Sequence, residues 1–206
     1  CSSYIQHECR DLRPFPTRRS SDLEPAFSAG RSWFLLISFS SDWLFTSAQS
    51  RQSVDALMAG GKDVSYSEIN SPYGHDAFLL EPEILGRLIG GFLARVEGKP
   101  VLNNGDDLHP YRQKPALESS WRRRRVDYER IEDLIQPGSK VLDLGCGRGV
   151  LLAHLQRNKQ IDGLGVEVVQ TDVSECIERG LKVVDLDLER ELSSFATSSY
   201  DYVILS

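Results

Sequence analysis

The sequence predicts an α/β protein made of two incomplete parallel-sheet units. Short apolar runs typical of buried strands alternate with stretches of helical periodicity, most of which end at glycine or proline. Acidic or histidine residues follow several of the strand-like runs, where open α/β sheets place their chemistry. Residues 99–125 are proline-rich and lack apolar periodicity, so they are interpreted as a linker between the two units.

Composition limits the number of domains and the classes of protein to which the chain can belong. With 206 residues and 40% hydrophobic content, it can hold one full domain or parts of two. A net charge of −6 argues against nucleic acid as a partner. No run of about 18 apolar residues occurs, so no membrane span is expected. The four cysteines lack metal-ligand spacing, which predicts no metal site and a reduced, cytoplasmic protein.

Residues 1–30 show neither helical nor strand periodicity. Within them, Phe15-Pro-Thr-Arg-Arg-Ser-Ser-Asp-Leu23 resembles the translation of a common sequencing adapter. We expect this leader to be an assembly artefact, with a disordered basic tail as the alternative. Because the chain does not begin with Met, we interpret it as a fragment.

The first unit, residues 31–98, reads as strand, helix, strand, loop and helix. The strands are predicted at residues 33–39 and 64–69, and the first helix at residues 46–59, ended by a glycine pair. A long second helix follows the loop and ends at Gly98. Its predicted buried face comprises Phe78, Leu85, Leu88, Ile89, Phe92 and Val96.

Asp42 and His75 are the candidate catalytic residues of this unit, since each follows a predicted strand. An acid that orients an imidazole allows the ring to take a proton from a nucleophile. The alternatives are a helix N-cap before Trp43 for Asp42 and a solvated loop histidine for His75.

Two blocks in this unit, Ser41-Asp-Trp-Leu-Phe45 and Ser71-Pro-Tyr-Gly-His-Asp-Ala-Phe-Leu79, closely resemble the C-terminal part of homoserine O-acetyltransferases. Thr46 departs from that pattern, which usually has proline there. The resemblance implies the C-terminal fragment of an α/β-hydrolase sheet. It also implies transfer of an acyl group from acetyl-CoA or succinyl-CoA to homoserine by a Ser–His–Asp mechanism. No Gly-x-Ser-x-Gly nucleophile elbow occurs in the chain, so we expect this fragment alone to be inactive.

The second unit, residues 126–206, contains a strand that ends in a glycine-rich turn and opens a helix. Asp143 ends the apolar run, and Gly145, Gly147 and Gly149 follow at every second position. Glycines allow a ligand to approach the backbone closely, and the N–H groups of the helix start face it. The spacing differs from the Gly-x-Gly-x-x-Gly of dinucleotide-binding loops.

Two further acids extend the candidate binding site. Glu167 ends a predicted strand at residues 163–167, where a carboxylate can hold both ribose hydroxyls. Asp187 ends a strand at residues 181–187 and is placed to reach an adenine amino group. A fourth strand is predicted at residues 200–205. Either acid alone is as well explained as a surface or cap residue, whereas the ordered set with the glycines favours a nucleoside-type ligand.

The glycine motif resembles the first motif of class I S-adenosylmethionine-dependent methyltransferases. Residues 127–206 also resemble the MetW family, through Pro137-Gly-Ser-Lys-Val-Leu-Asp-Leu-Gly-Cys-Gly147 and Tyr200-Asp-Tyr-Val-Ile-Leu-Ser206. The resemblance implies an incomplete Rossmann-like methyltransferase sheet with S-adenosylmethionine as cofactor. It leaves a homodimer open.

Three functions remain in view at this point. The first is a fused methionine-biosynthesis acyltransferase whose MetW-like part regulates it. The second is an S-adenosylmethionine-dependent methyltransferase with an unrelated leader, and the third is a non-catalytic S-adenosylmethionine sensor.

Overall fold

The computed structural model describes residues 32–99, 128–188, 195 and 199–205. The adapter-like segment and almost all of the predicted linker lie outside these residues. Six strands are present in the described part of the chain: β1 (Trp33–Phe39), β2 (Asp63–Ile69), β3 (Lys140–Leu144), β4 (Asp162–Glu167), β5 (Val183–Asp185) and β6 (Tyr202–Leu205).

Helices connect these strands. They are α1 (Ser47–Ala59), α2 (Ala77–Leu80), α3 (Pro82–Val96), α4 (residues 128–134), α5 (Val150–Lys159) and α6 (Gln170–Glu178), with a 3₁₀ turn at Gly74–Asp76. All six strands join one sheet in the order β1-β2-β5-β4-β3-β6, and every neighbouring pair is parallel. The α/β class with a parallel sheet is therefore confirmed.

The core lies on both faces of the sheet, as expected where helices cover a parallel sheet on two sides. One buried cluster contains Leu88 of α3, Ile177 of α6 and Leu152 of α5. A second cluster contains Leu57 of α1 together with Leu164 of β4. Each cluster takes side chains from both predicted units, so the two units share their core.

The prediction of one long helix after the loop is wrong at the start of that helix. The chain forms the short helix α2, breaks at Glu81, and begins α3 at Pro82. Glu81 has φ −114° and ψ 46°, because a residue before proline is sterically disfavoured in the α region. The break separates Phe78 from the helix that it was predicted to belong to.

The predicted buried face of this helix is correct only in part. Leu88 is fully buried, and Leu85 and Phe92 pack against the core. Phe78, Ile89 and Val96 are exposed. The buried stripe of α3 is instead continued by Gly91, which faces α6 and needs no side chain to be buried.

The start of α1 decides one alternative for Asp42. Thr46 is the N-cap: its hydroxyl accepts from the Gln49 N–H, and the Gln49 side chain accepts from the Thr46 N–H. This reciprocal capping box satisfies two donors that the helix itself leaves unpaired. The interpretation of Asp42 as a helix N-cap is therefore wrong.

The remaining elements follow the sequence pattern with shorter strands in two places. β5 is restricted to Val183–Asp185, and β6 begins at Tyr202. None of the helices in the described ranges is long and apolar enough to cross a membrane. Among the same residues, no three His, Cys, Asp or Glu side chains are arranged to hold a metal ion.

Replacing Thr46 tests the cap. Thr46→Ala removes the acceptor for the Gln49 N–H, and we expect the free energy of unfolding to fall by about 1 kcal/mol. Urea denaturation followed by circular dichroism measures this change. Thr46→Ser keeps the hydroxyl and should unfold close to the native chain; equal losses in both variants would contradict the capping role.

Candidate functional sites at the carboxyl edge of the sheet

Parallel pairing places the carboxyl ends of all six strands at one edge of the sheet. The loops after β1 and β2 carry Asp42 and His75 at this edge. The loop after β3 carries the three glycines, and Glu167 is the last residue of β4. The predicted site residues therefore form two neighbouring groups along one edge.

Asp42 and His75 form a direct side-chain contact. His75 Nδ1 lies 3.1 Å from Asp42 Oδ2, although the two residues are 33 positions apart in the chain. An ionised carboxylate can only accept, so the proton of the pair is on Nδ1 and Nε2 is left as the acceptor nitrogen. This is the orientation in which an imidazole takes a proton from a nucleophile. The interpretation of His75 as a solvated loop residue is not supported, since its ring is held.

The Asp42 carboxylate is fixed by the backbone as well as by His75. Its side chain is 8% exposed, and Oδ1 accepts from the N–H groups of Leu44 at 2.8 Å and Phe45 at 3.0 Å. Burial on its own would raise the pKa of Asp42. The hydrogen bonds from Phe45, His75 and Leu44 outweigh burial, so the pKa of Asp42 is lowered from its usual value.

The His75 ring is positioned by its loop. It lies between two phenylalanines, with centroid distances of 5.4 Å to Phe45 and 5.8 Å to Phe78, and its side chain is 35% exposed. Gly74, with φ +62°, donates its N–H to Ser41 Oγ at 2.8 Å. The turn before His75 is thus tied to the residue before Asp42. Ser41 and Phe78 both belong to the two sequence blocks, but their positioning roles were not predicted.

The glycine loop is built as its spacing predicts. Gly145, Gly147 and Gly149 all have positive φ, and Gly149 caps α5. A side chain at Gly149 would collide with Leu181 and would lie 2.8 Å from Cys176 Sγ. A Cβ at Gly147 would meet nothing within 4 Å. Gly149 is therefore required for packing, whereas Gly147 lines open space that a ligand can occupy.

Glu167 and Gly147 are brought together. Glu167 Oε2 accepts from the Gly147 N–H at 2.8 Å, and Oε1 accepts from the N–H groups of Val168 and Val169 at 2.8 and 2.9 Å. The carboxylate is held by three backbone donors, at the point where the open side of the loop meets the end of β4. Oε2 keeps one further acceptor position, which suits a hydroxyl donor.

The two other predicted acids are placed differently. Asp143 is fully buried within β3, paired with Gly165 of β4 and Ile204 of β6. Asp187 lies two residues beyond β5, whose Asp185 is paired with Glu167 in the β4–β5 register. Glu167 and Asp187 thus share the edge of the sheet, whereas Asp143 lies inside it.

Two cysteines behind the loop were not predicted to matter. The Sγ atoms of Cys146 and Cys176 lie 3.6 and 3.3 Å from the carbonyl oxygen of Gly147, to which both thiols donate. Hydrogen bonding with Cys176, followed by burial, raises the pKa of Cys146. The Cys146 thiol therefore remains protonated at neutral pH, and both thiols support the loop through the Gly147 carbonyl. One sequence signal was available. Gly165 lies within a strand, and glycine in a strand indicates that another group approaches the backbone closely, as Cys146 does here.

Fold and site together define the class: a parallel α/β chain with an acid–histidine pair and, beside it, a glycine loop with a strand-end carboxylate. Comparison with known proteins makes this more specific. Residues 125–206 match the family model of the methionine biosynthesis protein MetW. Residues 125–206 are thus similar to the MetW family, as the sequence resemblance implied, and are called the MetW domain below.

Curated relatives extend the match across both halves. The chain is 42% identical over 183 residues to the bifunctional methionine biosynthesis protein MetXA/MetW of Rhodopirellula baltica, covering 84% of this chain and 27% of that protein. It is 46% identical over 96 residues to the homoserine O-acetyltransferase of Gluconobacter oxydans, covering 47% of this chain and 24% of that protein. The chain therefore spans about a quarter of the length of these relatives.

A solved structure, DesVI of Streptomyces venezuelae, superposes with a TM-score of 0.33 at 20% identity, over 39% of this chain and 35% of that chain. This likeness is too low to carry a functional conclusion. The relatives, by contrast, confirm both resemblances found in the sequence, to homoserine acyltransferases and to MetW.

The lowered pKa of Asp42 predicts a pH-dependent contribution to stability. Folding lowers this pKa, so the stabilisation is complete above the unfolded-chain value of 3.8 and is lost as pH falls through the lower folded value. Urea unfolding of the native chain and of Asp42→Asn, between about pH 2 and pH 6, measures it as the difference in unfolding free energy.

Asp76→Asn provides the control, because Asp76 is the exposed carboxylate beside His75. We expect the difference between native and Asp42→Asn chains to shrink on acidification, and that for Asp76→Asn to stay small. A difference for Asp42 that grows as the pH falls would show that the sign is wrong.

Proposed function

We propose that residues 33–96 supply the acid and the base of a homoserine acyltransferase of methionine biosynthesis, and that the MetW domain binds S-adenosylmethionine or a related nucleoside. The Asp42–His75 contact of 3.1 Å carries the first part of the proposal. It joins two residues from separate loops in the geometry that acyl transfer needs. The relatives named above support the substrate class, homoserine and acetyl-CoA or succinyl-CoA.

In this mechanism His75 is the general base. Its Nε2 takes the proton of a serine nucleophile as that serine attacks the acyl thioester, and gives it to the departing CoA thiolate. It then takes the proton of the homoserine hydroxyl as that oxygen attacks the acyl-serine, and returns it to the serine oxygen that is released. Asp42 holds the ring in the required tautomer and stabilises the imidazolium that forms. The serine is not identified among the residues of this chain, which contains no nucleophile elbow.

The residues of the MetW domain fit a nucleoside with a ribose. Gly147 leaves open space at the loop, and the Glu167 carboxylate is held beside it by three backbone N–H groups. The remaining acceptor position of its Oε2 atom receives a ribose hydroxyl. Asp187 is close enough along the same edge to be assigned to the base. When bound, S-adenosylmethionine supplies an activated methyl group.

A chimera tests the acyl-transfer part. Residues 33–96 replace the matching segment of the Gluconobacter oxydans homoserine O-acetyltransferase, which supplies the rest of the enzyme. We expect the chimera to acetylate homoserine, and His75→Ala or Asp42→Asn to lower kcat/KM by at least about a hundredfold. Release of CoA measured with a thiol reagent gives the rate.

Asp76→Asn in the same chimera is the matched control, since it removes a neighbouring carboxylate that is not bonded to His75 in the structure. Its rate should remain within about threefold of the parent chimera, because exposed polar substitutions have small effects. An active chimera in which His75→Ala keeps its rate would eliminate the proposed role.

Calorimetric titration of S-adenosylmethionine into the 206-residue chain tests the binding part. Glu167→Gln removes the charge that accepts a ribose hydroxyl, and we expect the Kd to rise by about tenfold or more. Asp162→Asn changes a carboxylate at the opposite end of the same strand and should leave the Kd unchanged. Equal affinities for the native chain and Glu167→Gln, or no binding at all, would remove the nucleoside site from the proposal.

A further inference from the structure

The two units meet at strands β2 and β5. Each of these is the outermost strand of its own unit on that side, and they pair in parallel at Tyr66 and Val184. The Glu68 N–H in β2 also donates to Asp185 Oδ2 in β5 at 3.4 Å. Strand pairing thus crosses from the acyltransferase-like unit to the MetW domain.

A close helix pair crosses the same boundary. A Cβ at Gly91 of α3 would lie 2.6 Å from both Cα and the carbonyl oxygen of Glu178 in α6. Such an approach is open only to glycine. At the adjacent Gly90 of α3, a Cβ would meet nothing within 4 Å. The contact is therefore confined to one face of α3, the face that meets the MetW domain.

Charged groups are paired across the boundary as well. Ion pairs of the described residues that cross it include Arg87–Glu178 at 2.9 Å, Lys182–Asp63 at 3.5 Å and Arg51–Asp185 at 4.0 Å. Two of the six side chains, Lys182 and Asp185, have little exposure, 14% and 8%. Charges of such low exposure need partners. Asp185 is paired with Arg51 of the other unit, and Lys182 is shared between Asp63 of the other unit and Asp162 of its own unit, at 2.7 Å.

We propose that β2 with α3 and β5 with α6 form a docking surface through which the acyltransferase-like unit and the MetW domain open and close as one cooperative body. Tethered domains meet through small, polar interfaces and move independently. Here the boundary consists of a strand pair, a glycine-mediated helix contact and buried Leu88 and Ile177 in one apolar cluster. Loosening α3 therefore loosens α6 and β5, on the far side of the boundary.

Amide hydrogen exchange on the 206-residue chain, read by mass spectrometry, tests this cooperativity with a pair of adjacent substitutions. Gly91→Ala forces α3 from α6, and we expect exchange to become about tenfold faster or more in β2 and in residues 170–185 together. Gly90→Ala makes the same chemical change on the open face and should leave residues 170–185 unchanged. Faster exchange confined to α3 in Gly91→Ala would overturn the proposal.

A charge exchange provides the second, milder test should Gly91→Ala fail to fold. Arg87→Glu and Glu178→Arg each place like charges across the boundary, and each should speed exchange on both sides of it. The double variant restores an ion pair and should return exchange to the native rate on both sides. Effects of the two substitutions that simply add in the double variant would show that α3 and α6 do not open together.

Discussion

Parallel pairing of the strands is the constraint on which the rest of this structure depends. Parallel pairing places the carboxyl end of every strand at the same edge of the sheet. Residues that are far apart in the sequence therefore lie close together there. Asp42 and His75 follow β1 and β2, which are neighbours, and their side chains come within 3.1 Å. Gly147 follows β3 and Glu167 ends the neighbouring strand β4, and the two residues share a hydrogen bond.

The order of the strands also fixes the distance between the two candidate sites. Only β5 stands between β2, which leads to His75, and β4, which ends in Glu167. β5 carries Asp185, whose buried carboxylate contacts the Glu68 N–H of β2 and Arg51 of α1, while its backbone is paired with Glu167 of β4. A ligand on one group of residues would therefore sit one strand from the other group, with a charged side chain at the join.

Much of this arrangement follows from local pattern. Apolar runs located all six strands, and the residues that follow them gave Asp42, His75 and Glu167, because strand ends in a parallel sheet are a local property of the sequence. The break at Glu81 was also available from the proline after it. Other features depend on contacts between distant residues: Gly91 is buried because α6 happens to lie on it, and β2 pairs with β5 across more than 100 positions. No periodicity within α3 or β2 encodes those partners.

The thiol contacts that support the glycine loop could not be predicted from the sequence, for a related reason. Cys146 lies within the motif itself, but its neighbour Cys176 comes from a helix 30 positions later. Only the folded chain shows that both thiols reach the Gly147 carbonyl. Likewise, Asp143 follows the pattern of a ligand-binding acid, yet pairing on both sides of β3 buries it. The sequence pattern locates this strand correctly. It does not show that the Asp143 side chain is buried inside the sheet.

Each of the two thiols occupies the space that a side chain would need at a nearby glycine. Cys146 Sγ lies 2.6 Å from where a Cβ at Gly165 would stand, and Cys176 Sγ lies 2.8 Å from that position at Gly149. Sulfur and methyl group thus compete for the same space, in two separate places behind the loop. A related chain that carries alanine in place of Gly165 could keep this backbone only with a smaller residue in place of Cys146. At Gly149 a smaller residue in place of Cys176 would not be enough, because Leu181 fills the same space and the backbone there is left-handed. The loop can therefore vary together with its support at Gly165, but not at Gly149.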